Sequence, residues 1–548
     1  MAEDDRARVL LKRLDKLAVQ RSTWEHHWQE VAEYVVPRKA DVTKQRSSGD
    51  KRMEQIYDGT AIHAAEMLSA SLHGMLTNPS MQWFDLAYLD EDLNTDDEAK
   101  EYLEAVTEIM QREFQRSNFA EQIHELYSDL VTFGTGVMMI DAAPEAQGVR
   151  FGTRHISECY LSEDQFGRVD TVFRKFKMPV RSVAMMFGAE NLGEKMQRKL
   201  ERDPYEEVTL VHIVMPRTER DVQRIDANNK PFASIYIDPG EKIIIREGGY
   251  DEFPYVCPRW LKSSFEQNYG RSPAMTSLPD AKMINAMSRV TIMAAQKQVD
   301  PPLMVPDDGF MLPIRTTPGG LNFYRGGTRD RIEPLQIGAN NPLGEQQLEQ
   351  RRTAIRAAFY VDQLILGQGP QMTATEVIQR TEEKMRLLGP VLGRLQAELL
   401  QPLINRCFEI LVRQKQFAPA PESLRDGSID IEYVSPLAKA QRSGDIQGIL
   451  QMIEFLMPLM QLDQGIVDYL DFDGLAKHII NVTGTPAAVV RGDGQVAGIR
   501  EQRQQAQQAQ SEMAATSQMA EAAGNAAPAL RAVDDTQVDL EQILGAAQ

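Results

Sequence analysis

The sequence predicts a mainly helical α+β protein, on three observations. Apolar residues recur at three- and four-residue spacing through most of the chain. Residues 135–260 break instead into short β-like runs between turn residues. A Pro- and Gly-dense stretch at 300–340 then lies between two helix patterns, where a continuous helix is forbidden.

Taken in order, residues 5–36 read as one amphipathic helix or a helix pair, with Leu10, Leu14, Trp24, Trp28, Val31 and Tyr34 on a stripe and Pro37 as its end. Residues 41–52 read as a polar loop. Asp58 or Thr60 caps the next helix, whose apolar face is Ala65, Leu68, Leu72 and Met75, and Asn78-Pro79 stops it. Trp83 and Phe84 open an extended piece, and helices follow at 96–117 and 119–134. The β-rich region holds "GVMMIDA", "VRFGTRHI", "VDTVFRKFKM", "EVTLVHIVMP", "SIYIDPG" and "KIIIREGG" as strands, with one helical interruption at 180–202.

"RWLKSSFEQNYGRSPAMTSLPDAK", residues 259–282, joins this region to a helix read from Thr276 to Gln298, about 33 Å long at 1.5 Å per residue. Lys282, Asn285, Arg289 and Gln296 fall on one side of it; Ile284, Met287, Val290 and Ala294 fall on another. A second helix covers 343–360, with Glu345, Glu349, Arg352 and Arg356 on one face and Leu348, Ile355 and Phe359 on the other. If the two helices are antiparallel, residues 300–340 sit at their far end. Gly367, Gly369 and Pro370 make a loop, and Thr373 with Glu376 starts a helix that runs to Gln414, with kinks expected at Pro390 and Pro402. From 436 the chain is helical and rich in Met and Gln, and 501–548 is a low-complexity tail, helical or disordered.

The chemistry of most enzymes is not written here. There is no G-x-x-x-x-G-K-[ST], H-E-x-x-H or G-x-S-x-G. "GQGPQM" has two glycines and follows a helix, which disfavours a dinucleotide loop. His26 and His27 are adjacent and cannot converge on one metal, and "DFDG" at 471–474 lacks a third acidic ligand. No catalytic residue, metal site or cofactor is expected. The three cysteines are far apart and form no C-x-x-C pair, so the chain reads as one folded in a reducing cytoplasm. No signal peptide and no apolar run long enough for a membrane span is read. The net charge of −19 disfavours tight nucleic-acid binding but is compatible with DNA that slides past. The four tryptophans read as packing anchors before base-stacking platforms.

Several stretches together resemble the head-to-tail connecting (portal) proteins of short-tailed bacteriophages. They are "WQEVAEYVVPRKAD", "DGTAIHAAEMLSASLHGMLTNPSMQWFDL", "FPYVCPRWLKSSFEQNYGRSPAMTSLPDAKMIN", "DPPLMVP", "MTATEVIQRTEEKMRLLGPVLGRLQAELLQPLI" and "YVSPLAKAQRS", in family order across residues 20–445. The resemblance implies a ring, usually of about twelve subunits, around a central DNA channel, each subunit built of wing, stem, clip and crown. It implies an N-terminal and wing domain at 1–270, stem helices at 271–299 and 341–360, and a clip at 300–340. A tunnel loop follows at 361–373, a kinked wing helix with a return strand at 374–435, a crown at 436–500 and the tail at 501–548. Candidate channel residues on the stem are Lys282, Arg289, Lys297, Arg352 and Arg356, with intrachain or inter-subunit ion pairs as their plain alternative. Gln363, Gln368 and Gln371 are tunnel-loop candidates; Phe310, Leu312, Phe323 and Tyr324 are clip-interface candidates. Implied partners are further copies of the chain, the major capsid protein and scaffold, the terminase large subunit, a tail adaptor or tail tube protein, internal core proteins and double-stranded DNA in passage. The implied place is the portal vertex of the virion, after assembly in the host cytoplasm. The alternative reading is another virion structural protein, such as a tail adaptor or scaffold.

Overall fold

The computed structural model describes residues 3–305 apart from 45, 48, 80–81, 89–96, 144–147, 222, 225 and 265–267, then 313–315, 321, 323, 333–334, 342–364, 388–421, 431–434, 449, 452–456, 472–483 and 495–510. The chain divides into two compact units, one of Met1–Leu89, Ala105–Ala420 and Ile429–Gln441, the other of Asp90–Glu104, Pro421–Ser428 and Arg442–Gln548.

The first unit opens with a single helix, α1 (Glu3–Val35), where the sequence left a pair open. Pro37 begins a short 3-10 turn, Pro37–Lys39. The polar loop after it is tied down by charge: Arg52 pairs with Asp41, and Lys44 reaches Glu33 at 2.6 Å. In α2 (Thr60–Leu76) the residue before the Gly59 cap does the capping, because the Asp58 carboxylate accepts from the Thr60 N–H at 2.9 Å. After β1 (Asp85–Tyr88) come α3 (Asp97–Arg116) and α4 (Phe119–Phe133). Trp83 and Phe84 pack with Phe114, Phe119 and Phe151, Trp83 stacking on Phe119 with centroids 5.6 Å apart.

The β-rich region forms two sheets. β2 (Met138–Ala142) is flanked by β3 (Val149–Thr153) and later by β9 (Tyr255–Val256). Between them a five-stranded antiparallel meander runs β4 (Cys159–Glu163), β5 (Val169–Pro179), β6 (Glu207–Pro216), β7 (Phe232–Asp238), β8 (Ile243–Tyr250). The interruption read as one helix is two, α5 (Val180–Phe187) and α6 (Glu194–Arg202), split at Gly188, whose φ of 87° only glycine adopts freely. Both sheet faces are covered, which is why "EVTLVHIVMP" is apolar almost throughout. Val211 and Ile213 meet Ala7, Leu10 and Leu14 of α1, while Val208 and Leu210 meet Val180, Val183 and Phe187 of α5.

A polar row crosses that second face. Arg174, His212 and Tyr236 are register partners on β5, β6 and β7. The His212 ring stacks on Tyr236 with centroids 4.1 Å apart and bonds Ser234 Oγ at 3.0 Å and the Tyr255 hydroxyl at 3.3 Å. Burial first, then Arg174 and Arg154, pushes the imidazole down to about 3 from 6.5. The unfolded chain takes up this proton below 6.5 and the fold does not until about 3, so this contribution is complete above 6.5 and is lost as pH falls toward 3. We expect stability to fall by about 1.4 kcal/mol per pH unit from this group, and a folded His212→Asn variant to lose that part of the slope in urea titrations between pH 6 and 4.5.

After β9 come α7 (Pro273–Val299), β10 (Leu303–Met304), β11 (Glu333–Pro334), α8 (Pro342–Ala358) and α9 (Val361–Leu364). A last long helix, α10, covers 388–413, and β12 (Ile431–Val434) pairs antiparallel with β1. Near Pro402 the helix carries a π turn, Gln396–Leu400, in which the Gln401 N–H reaches Gln396 O. Proline has no N–H and crowds the preceding turn, and the helix answers by taking one extra residue into the turn before it. In the second unit α11 (Phe472–Thr483) and α12 (495–510) are joined by Arg500 on Asp473 at 2.5 Å. Among the described residues, no helix is long and apolar enough to cross a membrane.

Candidate functional site: the helix hairpin and its elbow

The stretch 259–282 is specified by a fixed bend. Gly134 closes α4 in the left-handed conformation, φ 76°, and lies back to back with Gly270; a Cβ on Gly270 would stand 2.5 Å from Gly134 O. Trp260 N–H donates to Gly134 O at 2.9 Å, and Gly270 N–H donates to Thr135 Oγ1 at 2.8 Å. Aromatic side chains close over this bend: Trp260 and Tyr269 are buried, Tyr269 meets Trp28 edge-on at 5.0 Å, and Arg271 lies over Trp24 at 5.4 Å. Ser272 then caps α7, its Oγ accepting from Met275 N–H at 3.0 Å and donating to Thr132 O at 2.8 Å, with Pro273 at the first helical position. The helix therefore starts three residues earlier than the sequence reading placed it.

A buried guanidinium locks the bend to its surroundings. Arg259, 2% exposed, donates from Nη2 and Nε to Glu398 at 2.7 and 3.0 Å, and to Gly167 O at 2.9 Å; it also pairs with Glu163. Its backbone N–H reaches Glu398 at 3.0 Å, and Glu163 takes Lys262 at 2.6 Å. Burial alone would lower the guanidinium's affinity for its proton, but the Glu398 and Glu163 carboxylates outweigh burial and raise it. Glu398 stands in the π turn of α10, so elbow, β4 and α10 meet at one side chain.

α7 and α8 lie side by side and antiparallel. Arg351 of α8 reaches Asp280 near the start of α7 at 2.8 Å, and at the other end β10 pairs with β11, Leu303 opposite Pro334. Ala281, Ile284 and Ser288 of α7, Leu348 and Ile355 of α8, and Phe359 in the turn just after it, are buried. From Arg289 to Val305 every residue is exposed apart from the half-buried Ala294 and Pro301. The face read as apolar along the whole of α7 is thus core only at Ile284; Met287 is half-buried and Val290 is 65% exposed. The last turns of the helix have outrun the protein's own core.

The basic candidates on the hairpin mostly contact their own chain. Lys282 pairs with Glu30 of α1, and Arg289 lies over the Tyr57 ring at 5.9 Å. Asn285 between them accepts from Tyr57 N–H at 2.6 Å and donates to Gln55 O at 2.8 Å. Arg352 grips Asp58 at 2.9 Å and also meets Glu349, which takes Arg356 at 3.5 Å. Burial pushes Asp58 up, but Thr60 and Arg352 together hold its carboxyl below the ordinary range. Lys297, exposed in the last turn, has no ion-pair partner among the described residues. Of the loop candidates, Gln363 lies in α9 and Gln368 and Gln371 fall outside the described residues. Of the clip candidates, Phe323 is 67% exposed, and Phe310, Leu312 and Tyr324 fall outside the described residues. No sequence pattern marks Glu30, Tyr57 and Asp58 as counter-groups; the capping pattern alone draws notice to Asp58.

A rigid bend thus leads from the sheets and helices of the first unit into an antiparallel pair of helices. The family model described as "Bacteriophage head to tail connecting protein" matches residues 7–490, and the chain belongs to this family. It is 32% identical over 516 residues to the "Probable portal protein" of Bordetella phage BPP-1, covering 92% of each chain. It is 31% identical over 512 residues to the "Portal protein" of Salmonella phage epsilon15, again covering 92% of each. A chain from the neck of an empty gene transfer agent particle is 12% identical with a TM-score of 0.36, over 82% of this chain and 98% of that one, a likeness too slight to argue from.

Proposed function

We propose that this chain is the portal subunit of a tailed phage. Copies close into a ring at one capsid vertex, and double-stranded DNA passes through the ring during packaging and ejection. The observation that carries the reading is the hairpin of α7 and α8, which runs beyond the core that should cover it, in a chain of the head-to-tail connecting family. In this reading α7 and α8 are the stem, 300–340 the clip, 361–373 the tunnel loop, α10 the wing helix and 436–500 the crown. The clip, through Phe310, Leu312, Phe323 and Tyr324, meets neighbouring clips, then the terminase motor and later the tail. The capsid protein and scaffold surround the body.

The same reading makes the channel a passive conduit. A chain at −19 repels a phosphate rod on average, and contacts stay weak where the basic residues are already paired. Lys297 and the glutamines 363, 368 and 371 are the candidates left for touching DNA. Negative-stain images and mass photometry test the proposal: hollow rings near about twelve times 61.8 kDa are expected. Monomers at every concentration, or particles with no axial opening, would reject it. In DNA-filled particles the duplex should come nearest to the chain at 361–373; a wider gap there rejects the loop assignment.

A further inference from the structure

The link between the two sheets carries more positive charge than the chain answers. It leaves β3 at Thr153, passes through the 3-10 turn Ile156–Glu158 and enters β4 at Cys159. Arg154 stands at its start, with its backbone N–H donating to Val137 O at 2.8 Å. The guanidinium folds back over Gly152, where an added Cβ would lie 3.0 Å from Nη2 and 3.2 Å from Cζ. Its Nε is buried without a hydrogen-bond partner. Among the described residues the Arg154 guanidinium makes neither a hydrogen bond nor an ion pair.

A second guanidinium comes from β5. Arg174 is the register partner of Cys159. It gives Nε to Glu158 at 2.8 Å and lies over the Phe176 ring at 4.1 Å, with its side chain 15% exposed. Its two Nη groups have no partner among the described residues. Glu158 is thus committed to Arg174. Burial first, and then Arg174, weakens the hold of Arg154 on its own proton. Tyr255 and Cys159, which also act on Arg154, are kept neutral by burial, which pushes both up. Two cations therefore face one carboxylate, where partly buried charge is costly unless it is met.

We infer that Arg154 and Arg174 bind one small free oxyanion of the phosphate class. A guanidinium presents paired N–H groups in a fixed fork, which suits the edge of such an ion. Arg154 offers Nε and its Nη groups, and Arg174 offers the Nη groups that Glu158 leaves over. The bound ion ties the exit of β3 to β5, so the two sheets are joined by charge as well as by chain. Such a site does not depend on the portal reading.

The test follows thermal unfolding of the full chain near neutral pH as phosphate replaces chloride at constant ionic strength. Phosphate stabilises proteins in general by its exclusion from their surface, so the readout is the saturable rise in Tm above that background. Wild type should show this rise. Arg154→Gln should lose it or need about tenfold more phosphate, yet unfold in chloride no earlier than wild type, because no partner is stranded. Arg154→Lys keeps the charge without the fork, and should fold as wild type and need about threefold more phosphate or higher. Glu158→Gln frees Arg174 and removes a competing carboxylate, so its rise should come at about threefold less phosphate, which a merely structural loss would not produce. A wild type with no saturable rise, or Arg154→Gln and Arg154→Lys chains that keep the rise unchanged, overturns the inference. So does displacement of the phosphate by a short DNA duplex, which would assign the site to a nucleic-acid backbone.

Discussion

Arg259→Met is expected to leave the protein less stable by about 3–5 kcal/mol, the usual cost of stripping one partner from a buried ion pair. The side chain is 2% exposed and its removal strands Glu398 and Glu163, with only Arg394 and Lys262 left to meet them among the described residues. Methionine fills much of the volume, so the loss would report on charge and hydrogen bonding, not on a cavity. Glu398→Gln should cost less, because the amide still accepts from the Arg259 backbone N–H. Urea unfolding reads both. An Arg259→Met protein within about 1 kcal/mol of wild type would show that the three elements are held together by packing alone.

Gly134→Ala is expected to have a comparable or larger effect, about 4 kcal/mol or more, and to remove folded protein from the soluble fraction. Two penalties coincide. The φ of 76° disfavours any side chain, and the new methyl would drive into the backbone of Gly270 and Arg271, which has no rotamer to change. Gly393 in α10 is the control, since nothing lies within 4 Å of a Cβ added there. Gly393→Ala should be stabilising by up to about 1 kcal/mol, as expected for alanine in a helix. If both substitutions behave alike, the glycine contact is not what sets the bend.

The elements were legible where one face is apolar and the period is clean. α4, β5 to β8 and α8 sit where their patterns placed them, to within a residue or two. β4 was missed because "CYLSE" is five residues with only Cys159 and Leu161 facing inward. α7 starts at Pro273 and not at Thr276, because Ser-Pro at a cap and first helical position is itself a start signal. The counter-charges of the hairpin were not legible. Lys282 meets a residue 252 positions away and Arg352 one 294 away, and no local spacing encodes such a pairing. The elbow was half visible: the stretch 259–282 read as the joint between the β-rich region and the helix, but the other wall of the bend, Gly134 and Thr135, belongs to a distant helix end.

The π turn in α10 has a bearing on how this family changes over time. One surplus residue is looped into Gln396–Leu400 while Leu395 and Leu403 on either side both face inward. A homologous chain could therefore drop a single position there, and only there, without turning either flank of the helix away from the interior. That deletion should travel with loss of the proline at 402, because an unbroken spiral would bring its ring against the carbonyl four residues back.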